Sequence, residues 1–168
     1  MFVLGIDPGL TRCGYAVIAP RRGRPRPVAL GVITTGADVA LPLRLAELQA
    51  EVRSLLDEYQ PTSVAVERIF FQHNVRTAMA VGQASGVVMA EAASRGCEVV
   101  QYTPNEVKLS VTGDGAADKE AVIRMVQTLL GLPRPPRPAD AADAAALALC
   151  HIAHARFVAA VEAVEATR

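Results

Sequence analysis

A change of rhythm near residue 40 constrains this chain more than any other feature of it. Before that point, residues 2–7, 13–19 and 28–35 read as strands. They are joined by the turn Pro8-Gly9-Leu10-Thr11-Arg12 and by the basic hairpin Arg21-Arg22-Gly23-Arg24-Pro25-Arg26-Pro27. After it, Leu41, Leu45, Leu48, Val52, Leu55 and Tyr59 recur at helical spacing, predicting an amphipathic helix over about 41–60. Pro61 closes that helix, and residues 62–67 read as a short buried strand. A second helix is expected from Asn74 to Gly96, a fifth strand from Cys97 to Tyr102, and short helices near 104–111 and 117–130. Thr103-Pro104 offers a cap followed by proline at the first helical position. Residues 133–138 (PRPPRP) form a stiff connector, and a last helix runs from Ala139 past Phe157. Strands joined by tight turns pair antiparallel, whereas strands joined through a helix run parallel in one sheet. The expected fold is therefore α/β: a five-stranded mixed sheet, a three-strand antiparallel meander plus two parallel strands, with helices on both faces. One domain over residues 1–168 accounts for the whole pattern, with 156–168 as a helical tail of unassigned role.

Composition narrows the classes. With 51% hydrophobic residues in 168, the chain has enough apolar side chain for a core, which excludes intrinsic disorder. No uncharged apolar run approaches the roughly 20 residues that a bilayer span needs, so no membrane partner is expected. Residues 1–7 lack the basic region and cleavage site of a signal peptide, and a cytoplasmic location is expected. Cys13, Cys97 and Cys150 are odd in number and far apart, which is no disulfide framework. Charge is balanced at 17 basic and 17 acidic residues but unevenly spread: residues 1–36 carry five Arg and one Asp, and residues 37–62 carry five acids and two Arg. Lys108 and Lys119 are the only lysines.

Four acids interrupt apolar settings. Asp7 ends the first strand and Glu67 the fourth; Asp140 and Asp143 lie three apart in the first turn of the last helix, hence on one face. That face continues through Leu147, Cys150, Phe157, Val161 and Val164, and is expected to point inward. If strands one and four are neighbours, Asp7 and Glu67 emerge side by side and the last helix lays its two acids against them. Converging carboxylates are costly unless paired or metal-bound, and each raises the pKa of the others. Two divalent cations, Mg²⁺ or Mn²⁺, suit such hard oxygen ligands and the in-line displacement of a phosphoryl group. Taken singly, Asp7 is a good turn starter and Asp140 and Asp143 suit the positive end of a helix. The combination favours a metal site.

Leu4-Gly5-Ile6-Asp7-Pro8-Gly9, Val66-Glu67-Arg68-Ile69-Phe70, Gly82-Gln83-Ala84-Ser85-Gly86 and Ala139-Asp140-Ala141-Ala142-Asp143-Ala144 together resemble, in order and spacing, the RuvC-type Holliday-junction resolvases, over about residues 2–155. The resemblance implies a ribonuclease-H-like fold, a homodimer, and Mg²⁺-dependent symmetric nicking of four-way DNA junctions to 5′-phosphate and 3′-hydroxyl ends. It also implies work beside a branch-migration motor in recombination and repair. Asp7, Glu67, Asp140 and Asp143 fall on the family's metal-binding acids, Phe70 on an aromatic held to stack on junction bases, and Lys108 and Lys119 on two basic positions implicated in DNA contact and catalysis. Either lysine would offset charge on the pentacovalent phosphate.

Arg68, Arg76, Arg124, Arg134, Arg137 and the loop at 21–26 are further candidates for a phosphate track. Ala78, Gly82, Ser85, Gly86 and Met89 form a small-residue stripe that suits either the protein's own sheet or a partner's equivalent helix. His73, His151 and His154 show no metal-ligand spacing. Asp114 adds negative charge to a loop expected near DNA. The loop at 21–26 reads equally as a DNA contact or a solvated turn. Competing readings are a resolvase-like nuclease that processes ribosomal RNA precursors, a non-catalytic junction-binding module, and an actin-like ATPase, whose two lobes would need about twice this length.

Overall fold

The computed structural model describes the backbone of residues 1–68 and 75–166 and the side chains of 1–68 and 78–166. Three strands come first: β1 (Val3–Asp7), β2 (Arg12–Ala19) and β3 (Arg26–Thr34). Helices and strands then alternate: α1 (Leu41–Tyr59), β4 (Ser63–Glu67), α2 (Val75–Ser94) and β5 (Glu98–Tyr102). Three helices complete the chain: α3 (Pro104–Thr112), α4 (Lys119–Leu130) and α5 (Ala139–Glu165). The strand order is β3-β2-β1-β4-β5. β1 pairs antiparallel with β2 and parallel with β4, β2 pairs antiparallel with β3, and β4 pairs parallel with β5. This is the mixed sheet that the connections require.

Side chains alternate between the faces of each strand, and the two cores follow from that period. Leu4, Ile6, Val64 and Val66 join Leu48, Val52, Leu56, Ala84 and Val88 beneath α1 and α2. Val3, Ala16, Ile18 and Ala65 join Val107, Val126 and the alanines of α5 on the other face. Asp7 and Glu67 share the parity of Val3 and Ala65, so the alternation aims both acids at the α5 side.

α5 lies directly on the sheet because nothing stands between their backbones. A Cβ at Gly5 would overlap the carbonyl oxygen of Ala144, and one at Gly14 the carbonyl oxygen of Asp140. Facing them, Ala141, Ala144, Ala145 and Ala148 are fully buried. This contact fixes the first turn of α5 beside the end of β1. On the opposite face, buried Glu91 of α2 accepts hydrogen bonds from Gln49 and Arg53 of α1 and is bridged by Arg95 at 2.6 Å. The four groups clamp the two helices together.

Two expectations need correction. The inward stripe of α5 ends near Ile152: Phe157, Val161 and Val164 are exposed, Phe157 by 68%. α2 stops at Ser94, and Gly96 takes the left-handed backbone that ends the turn, with φ of 73°. Asp114 accepts from the backbone N–H of Ala116 at 2.8 Å, so its carboxylate shapes the turn between α3 and α4. α5 is long and apolar enough to cross a membrane, but half of its most apolar stretch is buried in the protein. It is built as a core helix.

Candidate active site

Each acid is delivered by an element end. β1 and β4 are parallel neighbours in register Ile6↔Val66, which sets Asp7 and Glu67 side by side as the strands leave the sheet. Asp140 and Asp143 enter from the first turn of α5. Lys119 opens α4 directly after Asp118, whose side chain accepts from the N–H of Ala121 and caps the helix. Lys108 arrives from α3, whose start is fixed by reciprocal hydrogen bonds between Thr103 and Glu106.

These elements enclose an open cleft of about 400 Å³, lined by Asp7, Glu67, Asp143, Lys108 and Lys119 over apolar walls from Val107, Val122 and Leu147. Asp7 is the most perturbed carboxyl. Burial, then the charges of Glu67, Asp143 and Asp140, push its pKa up to about 7. Glu67 is raised too, by burial and by Asp143. Two cations answer the other acids. Lys119 Nζ stands 2.7 Å from Asp143 Oδ2. Arg12 donates from Nε at 3.1 Å and from Nη2 at 2.8 Å to Asp140 Oδ2, which holds that carboxyl below its usual range.

All four acids therefore share one electrostatic site, but they do not stand as a finished ligand cage. Asp140 is turned to Arg12 and is absent from the lining of the cleft. Among the described residues, no three His, Cys, Asp or Glu side chains are gathered closely enough to hold a metal ion as they stand. The donor set nevertheless fits a hard divalent cation. It offers only carboxylate oxygens, with the Asp7 carboxyl's affinity for its proton raised by burial and by its neighbours' charges, and an ammonium and a guanidinium beside the other acids.

The architecture has close counterparts. The family model "Crossover junction endodeoxyribonuclease RuvC" matches residues 3–151. This chain belongs to the RuvC family. The Streptomyces avermitilis RuvC is 56% identical over 136 residues, covering 80% of this chain and 77% of that one. The Thermobifida fusca RuvC is 54% identical over 136 residues, covering 80% and 75%. A solved structure of Thermus thermophilus RuvC in complex with a Holliday junction substrate superposes with a TM-score of 0.89 at 39% identity, covering 94% of this chain and 96% of that one. The yeast mitochondrial resolvase Ydc2 shares the fold, with a TM-score of 0.62 at 15% identity over 90% of this chain and 78% of that one.

The remaining sequence candidates divide. Arg68, exposed, follows β4 and donates its backbone N–H to the carbonyl of Tyr102. Phe70, with Phe71 and His73, and the side chain of Arg76 lie outside the described residues. The small-residue stripe of α2 splits between two faces: Ser85 is buried and Met89 packs against the core beneath α1, while Gly82 and Gly86 are exposed, with nothing within 4 Å of a Cβ at either. His151 is buried and hydrogen-bonded to Tyr102 at 3.0 Å, as a core histidine. Arg12 escaped the sequence reading altogether.

Proposed function

We propose that this RuvC-family chain is a structure-selective endonuclease that resolves four-way DNA junctions by paired, symmetric nicks, with Asp7, Glu67, Asp140 and Asp143 holding two Mg²⁺. The observation that carries the reading is the shared electrostatic site of four carboxylates, remote in sequence, on the end of a RuvC-family fold. Bound there, divalent cations supply an activated water and charge neutralisation for phosphodiester hydrolysis. The chain's own residues do the rest. Lys119 carries the positive charge nearest the acids and would face the nonbridging oxygens of the scissile phosphate once Asp143 has another partner. Lys108, which also lines the cleft, orients the strand. The apolar walls from Val107, Val122 and Leu147 flank the charged groups of the cleft.

On this reading Phe70 stacks on an unpaired junction base, worth about 1–3 kcal/mol, and Arg68 and Arg76 contact phosphates. Two protomers pair through the exposed side of α2, where Ala78, Gly82 and Gly86 permit close approach, and present two sites to a two-fold junction. The work belongs to recombination and repair in the cytoplasm, beside a branch-migration motor. Mn²⁺ is expected to substitute for Mg²⁺. Cleavage of a mobile four-way junction, a linear duplex and a structured RNA, with and without Mg²⁺, tests the proposal. It predicts Mg²⁺-dependent cutting of the junction alone; equal cutting of all three contradicts it.

A further inference from the structure

Two sequence features have no part in the carboxylate site: the arginine-rich hairpin at 21–26 and the helical tail that begins near Arg156. The fold brings them together. β2 leaves the site at Arg12 and reaches the far end of the sheet at Ala19, so the hairpin lies at the opposite pole. α5 starts beside the carboxylates and runs to the same pole; the 13 residues from Asp143 to Arg156 span about 20 Å of helix. There Arg156 donates a hydrogen bond from Nη2 to the backbone carbonyl of Arg21. Between the hairpin and helices α3, α4 and α5 lies a second cavity of about 420 Å³. Its floor is aliphatic, from Val111, Leu129, Leu149 and Ile152, and Arg24 and Arg156 stand on its rim. Among the described residues, no carboxylate lines it. Arg21, Arg22 and Arg26 are exposed on the same hairpin, and α5 continues past the cavity with Phe157, Val161 and Val164 exposed.

The charge at this pole is local, in a chain whose formal net charge is zero. A nucleic-acid backbone would use the arginines but gain nothing from an aliphatic floor. A peptide with an apolar side chain between carboxylates satisfies both, because arginine pairs with carboxylates while its stem covers apolar surface. We propose that this pole is a docking site for an acidic segment of a partner protein. One apolar side chain of the segment fills the cavity between Arg24 and Arg156, and its carboxylates lie along the hairpin. This site is separate from the nuclease cleft and its existence does not depend on the cleft's chemistry.

The test uses the full chain and a fluorescein-labelled ten-residue peptide that alternates Asp or Glu with Leu or Phe, read by fluorescence anisotropy. Saturable binding is expected, weakening as ionic strength rises. Arg24→Glu and Arg156→Glu should each weaken it by at least about tenfold. Arg24→Ala, which reverses no charge, should weaken it several-fold. A peptide with Ser in place of Leu and Phe should bind about tenfold more weakly, as expected when an apolar anchor is lost. Four-way junction affinity of the same variants should be unchanged. The proposal is overturned if the arginine variants lose junction affinity while peptide binding stays intact, which makes the pole a phosphate track. It is also overturned if the Ser-substituted peptide binds as well as the original, which reduces the contact to charge alone.

Discussion

Asp7 shows what the fold does to a single side chain. At the end of β1 it is half-buried, and burial with the charges of Glu67, Asp143 and Asp140 raises its pKa from 3.8 to about 7. A carboxyl that binds its proton more tightly when folded makes the fold most stable while protonated. Its contribution is full below pH 3.8 and is lost as pH rises through about 7. Without metal, Asp7→Asn should therefore gain stability over the parent as pH goes from 5 to 8, read by thermal unfolding. It should also abolish cutting yet leave junction binding largely intact. Mg²⁺ should raise the parent's midpoint at pH 8 more than the variant's. The approach of the four acids was legible in the sequence because each breaks an apolar rhythm, but the turn of Asp140 towards Arg12 was not. Arg12 was not legible: an exposed arginine in a turn breaks no pattern, and its bond to Asp140 exists only once α5 is laid across β2. Arg12→Ala frees Asp140 and should tighten Mn²⁺ binding several-fold by calorimetry; unchanged affinity would deny Arg12 any competition with the ion.

Among the elements, α5 positions half of the site and also produced the clearest misreading. Its 27 residues run for about 40 Å, whereas β1 and β2, of five and eight residues, run for about 17–27 Å. A helix that outruns its sheet must expose its last turns whatever its apolar period, so Phe157, Val161 and Val164 lie outside the core that their spacing suggests. Sequence periodicity reports which residues share a face but not where the opposing surface ends. The same limit applies to α2, where one stripe of small residues proved to serve two faces. The clamp at Glu91 yields a separate prediction. Glu91→Ala leaves Gln49, Arg53 and Arg95 without their shared acceptor and should cost on the order of 1–3 kcal/mol in urea unfolding. Cutting per folded molecule should be little changed, because the clamp lies on the face of the sheet away from the cleft.

The whole molecule was the easiest level to read, because three turn-linked strands followed by helix–strand alternation leave few ways to build one sheet. The strand order places β1 and β4 side by side at its centre, and the acids that end them follow. Assembly was less legible, since it depends on which face the fold leaves open. Gly86→Arg puts a long charged side chain on the exposed side of α2 and, on the proposed pairing, should leave the chain monomeric in sedimentation equilibrium where the parent is a dimer. A dimer that persists would move the interface elsewhere. On the proposed function, four acids remote along the chain act together on divalent ions. Anomalous diffraction from crystals soaked in Mn²⁺ tests it most directly. Manganese peaks are expected in the cleft, within bonding distance of Asp7 and of carboxylates from both β4 and α5; a cleft without manganese, or peaks only at other acids, would contradict the account.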